Sequence, residues 1–404
     1  MEFTLRPELA ELRRQVRTFV DERIVPVEAQ IIAEDRQKKY DTLRGLSEQA
    51  RAAGLWTPHL PERLGGRGLG ITGMCTLFRE MGRSPVGARV FNCDAPDQGN
   101  MDLLLSAGSA QIQEQYLMPL ARGETTSAFS MTEPAPGAGA DPSNLRTRAV
   151  KDGDHWVIDG HKWYSTGGGD AAFLIVMART AGEPGRGKSG PNDASMFVVD
   201  RHAPGVEHVR DVGVMAEPLL AHREAEMRFH SVRVPESAVL GNIGDGFRLA
   251  QKRLVPARLT HCMRWLGLAD RTLELCKAYI TTRESFGHVL ARHQLIQKMI
   301  ADAATDIHAG NLMTWHCAWM LENGQAKEAR PYSSMAKTHV ARTLCKVLDD
   351  AIQMHGSLGF SEDKPFASWY RHARSARIAD GPDEVHEVLI ARDYLTAGLN
   401  LLVG

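Results

Sequence analysis

The run Arg377-Ile378-Ala379-Asp380-Gly381-Pro382-Asp383-Glu384-Val385-His386 sets three carboxylates, Asp380, Asp383 and Glu384, around one Gly-Pro corner. Gly followed by Pro breaks a helix, so Asp380 is expected at a chain corner where its side chain can point into a cleft. A carboxylate held there without a cation beside it could act as a base for a weakly acidic proton. The alternative is a solvated turn in which Asp383 and Glu384 complement the dipole of the following helix. Two other stretches carry groups of interest. One is the loop beginning Met131-Thr132-Glu133-Pro134, and the other is Lys162-Trp163-Tyr164-Ser165-Thr166-Gly167-Gly168-Gly169. Tyr164 could lie on a planar ring, and the hydroxyls of Thr132 and Thr166 could reach ring heteroatoms; the alternative is packing at a strand edge.

Other chemistries lack their residues. His288 and His293 are five apart, and no H-E-x-x-H or Cys/His quartet occurs, so a metal centre is not expected. No G-x-S-x-G elbow is present, which argues against a serine hydrolase. Gly137-Ala138-Gly139 does not open a helix in a βαβ unit, and the Gly-rich run from Pro61 to Gly70 lacks the G-x-x-x-x-G-K-[ST] pattern, so neither reads as a phosphate cradle.

The elements that must position these residues fall into three blocks. Residues 1–124 read as helices, with Leu9, Leu12, Val16, Phe19 and Val20 at helical spacing. Residues 125–240 read as a small β domain, with short β-type runs such as Phe173 to Met177 and Met196 to Val199. Asp152-Gly153 and Asp159-Gly160 are expected as hairpin turns there, and residues 181 to 193 as an exposed loop. Residues 241–404 return to helices. Leu259, Met263, Leu266, Ala269, Leu273, Cys276 and Ile280 step by three and four along one face, and Leu295 to Leu321 and Ser334 to His355 follow suit. Several long helices of this kind suggest a bundle. The α–β–α order makes clefts at domain junctions, where ligands bind.

The 404 residues allow two or three domains. With 43% hydrophobic and 24% charged residues, the composition is that of a soluble globular protein. A net charge of -1 gives no reason to expect a nucleic acid or an anionic membrane as partner. No apolar run approaches the ~20 residues of a membrane helix, so membrane insertion is not expected. The six cysteines are widely spaced, with no C-x-x-C pair, and no signal peptide is read at the start; both point to a cytoplasmic setting with reduced thiols.

Taken together, the chain resembles the acyl-CoA dehydrogenase family over roughly residues 5 to 400. The resemblance rests on M-T-E-P at Met131 to Pro134, K-W-Y-S-T-G-G-G at Lys162 to Gly169, R-E-S-F-G at Arg283 to Gly287, H-Q at His293-Gln294 and Q-M-H-G-S-L-G-F at Gln353 to Phe360. A-D-G-P-D-E-V-H at Ala379 to His386 and R-L-T-H-C-M-R at Arg258 to Arg264 look like the branch that holds family members ten and eleven.

The resemblance implies an α+β fold with an N-terminal helical domain, a central β domain and a C-terminal four-helix bundle. It implies FAD as cofactor, with Met131, Thr132, Tyr164, Ser165 and Thr166 near the flavin. Arg283, Phe286 and Gln294 would hold the pyrophosphate and adenine end across a subunit interface. Gln353, Gly356, Ser357, Pro382 and Glu384 would also line the cofactor site, and a shared cofactor implies a homodimer or homotetramer. The substrate implied is an acyl-CoA thioester, contacted by Ala140, Arg258 and Gly381. Asp380 would take its α-proton while the β-hydrogen leaves as hydride to flavin N5, and burial would raise the Asp380 pKa toward working pH. An electron-transferring flavoprotein would accept the electrons. The chain departs from the usual pattern in having Asp380 for Glu, Ala140 for Ser, Tyr164 for Trp, and Ala257 at the alternative base position. Two further functions fit the same residues: a flavin oxidase of this fold, nitroalkane-oxidase-like or acyl-CoA oxidase, and a non-catalytic acyl-CoA-binding protein.

Overall fold

In the computed structural model, which describes residues 4–181, 190, 192–215, 223–399 and 401, helices run to Ala121, strands begin at Ser127, and helices resume at Gly246. The first block is built on α1 (Pro7–Phe19), α2 (Arg36–Ala52), α3 (Ile71–Met81) and α4 (Asp97–Ala107). Asp35 starts α2 by accepting the N–H of Lys38 at 3.0 Å, a side-chain cap that satisfies an otherwise orphaned amide.

The last block holds α5 (Gly246–Ile280), α6 (Gln294–Glu322), α7 (Ala329–His355), α8 (Phe366–Ala373) and α9 (Asp383–Ala397). The stepped face expected on α5 is buried at Leu259, Met263, Leu266, Ala269, Cys276 and Ile280, with Leu273 partly buried. One apolar core crosses both helical blocks, joining Val16, Phe78 and Phe91 to Leu259, Met263 and Leu266. Each such buried side chain contributes about 1.5–3 kcal/mol. The crossing of α3 and α5 depends on two glycines. A Cβ at Gly267 would lie 1.9 Å from the Arg79 carbonyl oxygen, and one at Gly82 would lie 2.3 Å from that of Arg264. Only bare backbone fits there, and this close approach brings the middle of α5 beside the segment before α4.

The sheet comprises β1 (Ser127–Ser130), β2 (Arg148–Asp152), β3 (His155–Thr166), β4 (Phe173–Arg179), β5 (Ala194–Asp200), β6 (Val206–Val212), β7 (Glu224–Pro235) and β8 (Val239–Leu240). The strand order is β6-β7-β3-β2-β4-β5-β8, and β1 pairs with β4 in parallel. Strand β4 is buried throughout. Its Phe173, Ile175 and Met177 enter a core shared with Met101, Leu104 and Leu249 of the helical blocks. Leu174, Val176 and Ala178 enter a second core with Phe229 and Val232 of the sheet. Period-two alternation thus feeds both faces.

One turn is corrected. Asp152-Gly153 does join β2 to β3, but Asp159-Gly160 lies inside β3, at a register shift against β7. The Asp159 carboxylate accepts the N–H of Ser231 at 2.8 Å, so the strands bulge there and continue pairing. The loop expected at residues 181 to 193 lies mostly outside the described residues.

Candidate active site

Asp380 sits at the corner, in the left-handed region at φ +53°, followed by Gly381 at φ +106°. Two buried cations from different helices hold the corner by its carbonyls. Arg258 Nε on α5 donates to the Asp380 oxygen at 3.0 Å, and Lys337 Nζ on α7 donates to the Gly381 oxygen at 2.7 Å. A left-handed non-glycine residue costs on the order of 1–3 kcal/mol and persists where the surroundings over-determine it. Pro382, at φ -58°, then leads into α9. Asp383 in its first turn is buried, not solvated. Its carboxylate faces Arg377 Nε at 2.8 Å, Arg342 Nε at 3.2 Å and Lys337 Nζ at 3.6 Å. Asp383 is therefore the counter-charge of the corner, while Glu384 is exposed.

The Asp380 carboxylate itself is half-buried. His261 Nε2 lies 3.3 Å from its Oδ2, off the line of a hydrogen bond, so Oδ2 has no hydrogen-bond partner. The expectation of a carboxylate without cationic neighbours, with a raised pKa, is corrected here. Burial does push Asp380 up, but the approach of His261 and the charges of Arg253 and Arg258 outweigh it. They hold the carboxyl well below the usual carboxylate range. Arg258 is itself buried, its Nε spent on the carbonyl of Asp380. Ala257, next to it on α5, offers no second carboxylate.

The loop after β1 is ordered by one side chain. Buried Glu133 accepts backbone N–H groups from Ala138 at 3.1 Å, Arg146 at 2.7 Å and Thr147 at 2.8 Å. Lys162 of β3, fully buried, donates to Glu133 Oε1 and to the Met131 carbonyl, both at 2.9 Å. Trp163 N–H reaches the Thr132 carbonyl at 3.1 Å. The loop is thereby fastened to β3, and Met131 and Thr132 are half-buried beside it while Ala140 is exposed. Tyr164 has φ +50° and is 46% exposed, its ring edge-on to Trp163. Ser165 points inward, its hydroxyl 2.8 Å from that of Ser130. Thr166 donates to Glu224 at 2.9 Å. Burial pushes the Glu224 carboxyl up to about 7, against the pull of that hydroxyl.

The remaining residues singled out in the sequence lie at the surface. Arg283, Phe286 and Gln294 surround the short hairpin Glu284–Ser285/His288–Val289 and the start of α6. Phe286 is 95% exposed with φ +52°. Gln353, Gly356 and Ser357 are exposed at the end of α7. Sequence reasoning gave no role to Lys337, Arg253 and His261. Lys337 carried a signal, since it sits on the buried face of α7 with Ser333, Ser334, Val340 and Ala341. A charge in such a stripe needs a partner.

Three family profiles cover the chain: acyl-CoA dehydrogenase N-terminal domain at residues 6–124, middle domain at 128–231 and C-terminal domain at 244–395. Acyl-CoA dehydrogenase family member 11 of Gallus gallus is 36% identical over 393 residues, covering 95% of this chain and 50% of that protein. The chain thus spans about half the length of that relative and of its mammalian counterparts. The Mycobacterium tuberculosis protein named as acyl-CoA dehydrogenase FadE2 is 39% identical over 354 residues, covering 87% of this chain and 85% of that one. A solved structure from Mycobacterium abscessus, titled as an acyl-CoA dehydrogenase, aligns with a TM-score of 0.90 at 36% identity, over 98% of this chain and all of that one. With all three domains matched in order and the fold superposing end to end, the chain belongs to the acyl-CoA dehydrogenase family.

Proposed function

We propose that this chain oxidises an acyl-CoA thioester to the trans-2-enoyl-CoA, with Asp380 as the base that takes the α-proton. The observation that carries the reading is the Asp380 carboxylate: among the described residues neither of its oxygens accepts a hydrogen bond, at a corner fixed through its backbone. Such a carboxylate is free to accept a proton without breaking a bond.

FAD is the cofactor of the family. The residues present fit it. Tyr164 offers a half-exposed planar ring on a left-handed residue, Thr132 and Thr166 sit half-buried on the adjoining segments, and Phe286 is an uncovered aromatic beside Arg283. Met131, Thr132, Tyr164, the Ser165 backbone and Thr166 would hold the flavin. Arg283, Phe286 and Gln294, with Gln353, Gly356, Ser357, Pro382 and Glu384, would hold the rest. When bound, FAD supplies the two-electron acceptor for the β-hydride at N5.

The chain's own part is to place and polarise the thioester. The N–H of Asp380 makes no hydrogen bond among the described residues. It can therefore donate to the thioester carbonyl and stabilise the enolate-like charge that grows as the α-proton leaves. Gly381, beside it, leaves room for the acyl chain, and Ala140 lies on the loop that would cover it. Arg258 fixes the base by its carbonyl. The exposed side chains of Phe286, Leu295, Phe360 and Leu395 are what a second copy in a homodimer or homotetramer would cover. An electron-transferring flavoprotein then reoxidises the enzyme in fatty acid β-oxidation, in the cytoplasm.

Anaerobic addition of a panel of acyl-CoAs to the FAD-loaded protein tests this. Bleaching of the flavin by one acyl class supports the reading and names the class. Bleaching followed by rapid recovery in O₂ favours the oxidase. A flavin that stays oxidised with every thioester overturns the proposal in favour of a nitroalkane-type or binding-only protein.

A further inference from the structure

The base has a neighbour that the mechanism above does not use. His261 projects from α5 with Nε2 3.3 Å from Asp380 Oδ2, and its ring stacks on Trp265 at 5.2 Å between centroids. Its other nitrogen is committed. Arg264 Nη2 lies 2.9 Å from His261 Nδ1. A guanidinium only donates, so Nδ1 accepts, and in the neutral ring the proton then resides on Nε2. That N–H faces Oδ2, the buried carboxylate oxygen of Asp380, which accepts no hydrogen bond among the described residues.

Arg264 is fixed in turn. Its Nη1 donates to the Cys93 carbonyl at 3.0 Å, and Nη2 is 3.8 Å from Asp94 Oδ1. Asn92, just before, is left-handed at φ +55° and donates to the Leu120 carbonyl at 3.1 Å. The Gly82–Gly267 crossing brings these segments together. A chain of contacts therefore runs from the segment before α4, through Arg264 and His261, to the carboxylate.

We propose that His261, held as its Nε2–H tautomer by Arg264, is a positioning residue that orients the Asp380 carboxylate toward the substrate's α-carbon. The proposal rests on the reading of Asp380 as the base. The present 3.3 Å contact is longer and less aligned than a working hydrogen bond, which is common before a substrate closes a site. A small rotation of Asp380 converts it to a donated bond on Oδ2 and leaves Oδ1 to take the proton. Asp has one methylene fewer than Glu, so its carboxylate reaches less far and gains more from being aimed. The charged and titratable groups around the pair are Arg253, Arg258 and Arg264 on α5, Lys337 on α7, His372 on α8, His386 on α9, and Asp94.

The test compares wild-type, His261→Ala and His261→Asn proteins, each loaded with FAD and checked for cofactor content and melting temperature. Two quantities are read. One is the anaerobic flavin-reduction rate against pH with the acyl-CoA that bleaches the wild type. The other is the protonated-carboxyl C=O stretch of Asp380 by difference infrared, identified by its loss in Asp380→Asn. His261→Ala is expected to slow flavin reduction on the order of 10- to 100-fold with little change in KM. It should also move the acid limb and the carboxyl band to higher pH together. His261→Asn, whose amide N–H can replace Nε2–H, should recover much of the rate. A rate within twofold of wild type in His261→Ala, or equal losses in Ala and Asn with an unmoved acid limb and band, overturns the proposal. If no thioester reduces wild-type flavin, the reading of function fails. The infrared band still decides whether His261 acts on Asp380: a band that does not move in His261→Ala rejects the inference.

Discussion

Arg258 holds Asp380 by its carbonyl, not by its carboxylate: Nε donates to the main-chain oxygen at 3.0 Å. His261, with the charges of Arg253 and Arg258, keeps the carboxyl ionised, while Arg258 spends its Nε on the main chain and on neither carboxylate oxygen. Fixing the residue through its backbone spares the carboxylate for the proton transfer proposed above.

Replacing Asp380 by Asn removes the proposed base and keeps its shape. The variant should retain FAD and its oxidised spectrum, while flavin reduction falls by about 10²–10⁴-fold. Stopped-flow reduction at saturating substrate measures it. A rate near wild type would move the role to another group. Asp383 is a poor successor, since Arg377, Arg342 and Lys337 surround it.

Gly381→Ala should damage catalysis more than folding. A Cβ there would lie 2.9 Å from His386 Nε2, at a φ of +106° that side-chain-bearing residues rarely adopt. His386 is buried with its Nδ1 2.9 Å from Ser334 Oγ, so the ring cannot simply turn away. The corner must shift, and a displacement of about 1 Å can cost 10²-fold in rate. Rate and melting temperature measured on one preparation separate the two effects.

Lys162→Met leaves Glu133 buried without its cation. Breaking such a pair costs about 3–5 kcal/mol. The midpoint of chemical denaturation should fall accordingly, and FAD should be lost on gel filtration, because the Met131–Thr147 loop hangs on Glu133. Retention of full FAD content would show that the loop does not need the pair.

Asp102 supplies a pH signature. Burial pushes its carboxyl up to about 7, against the attraction of Arg253 and a hydrogen bond from Gln98. The unfolded chain, with an ordinary value near ~3.9, loses that proton first. The native state then binds more protons, so this group's contribution to stability falls as pH rises from ~4 to about 7. Asp102→Asn removes that slope. Its melting temperature relative to wild type should climb between pH 5 and pH 8, and a constant difference would contradict the assignment.

Much of this was legible along the chain. The stepped apolar face of α5 and the short β runs follow local periodicity. The Gly-Pro corner announces itself because only special backbone is compatible with it. The cationic surroundings of Asp380 were not legible. Arg258 lies 122 residues earlier, Lys337 reaches the corner from α7, and both act across packed helices. The pKa direction of Asp380 depends on those crossings, so burial alone pointed the wrong way. Asp159-Gly160 has the composition of a turn, but Asp159 satisfies a neighbouring strand's amide instead.

The Met131–Thr147 segment looks structureless by composition, rich in Gly and Pro. Its two ends are tied together by one buried carboxylate and the ammonium opposite. The segment is thus a fixed mounting with a replaceable cover: Ala135, Pro136, Gly139 and Ala140 face outward and carry none of the Glu133 side-chain contacts that hold it. On the reading proposed above, Ala135 and Ala140 are where the mouth of the site would be reshaped for a bulkier acyl group, provided that Glu133 and Lys162 stay as they are.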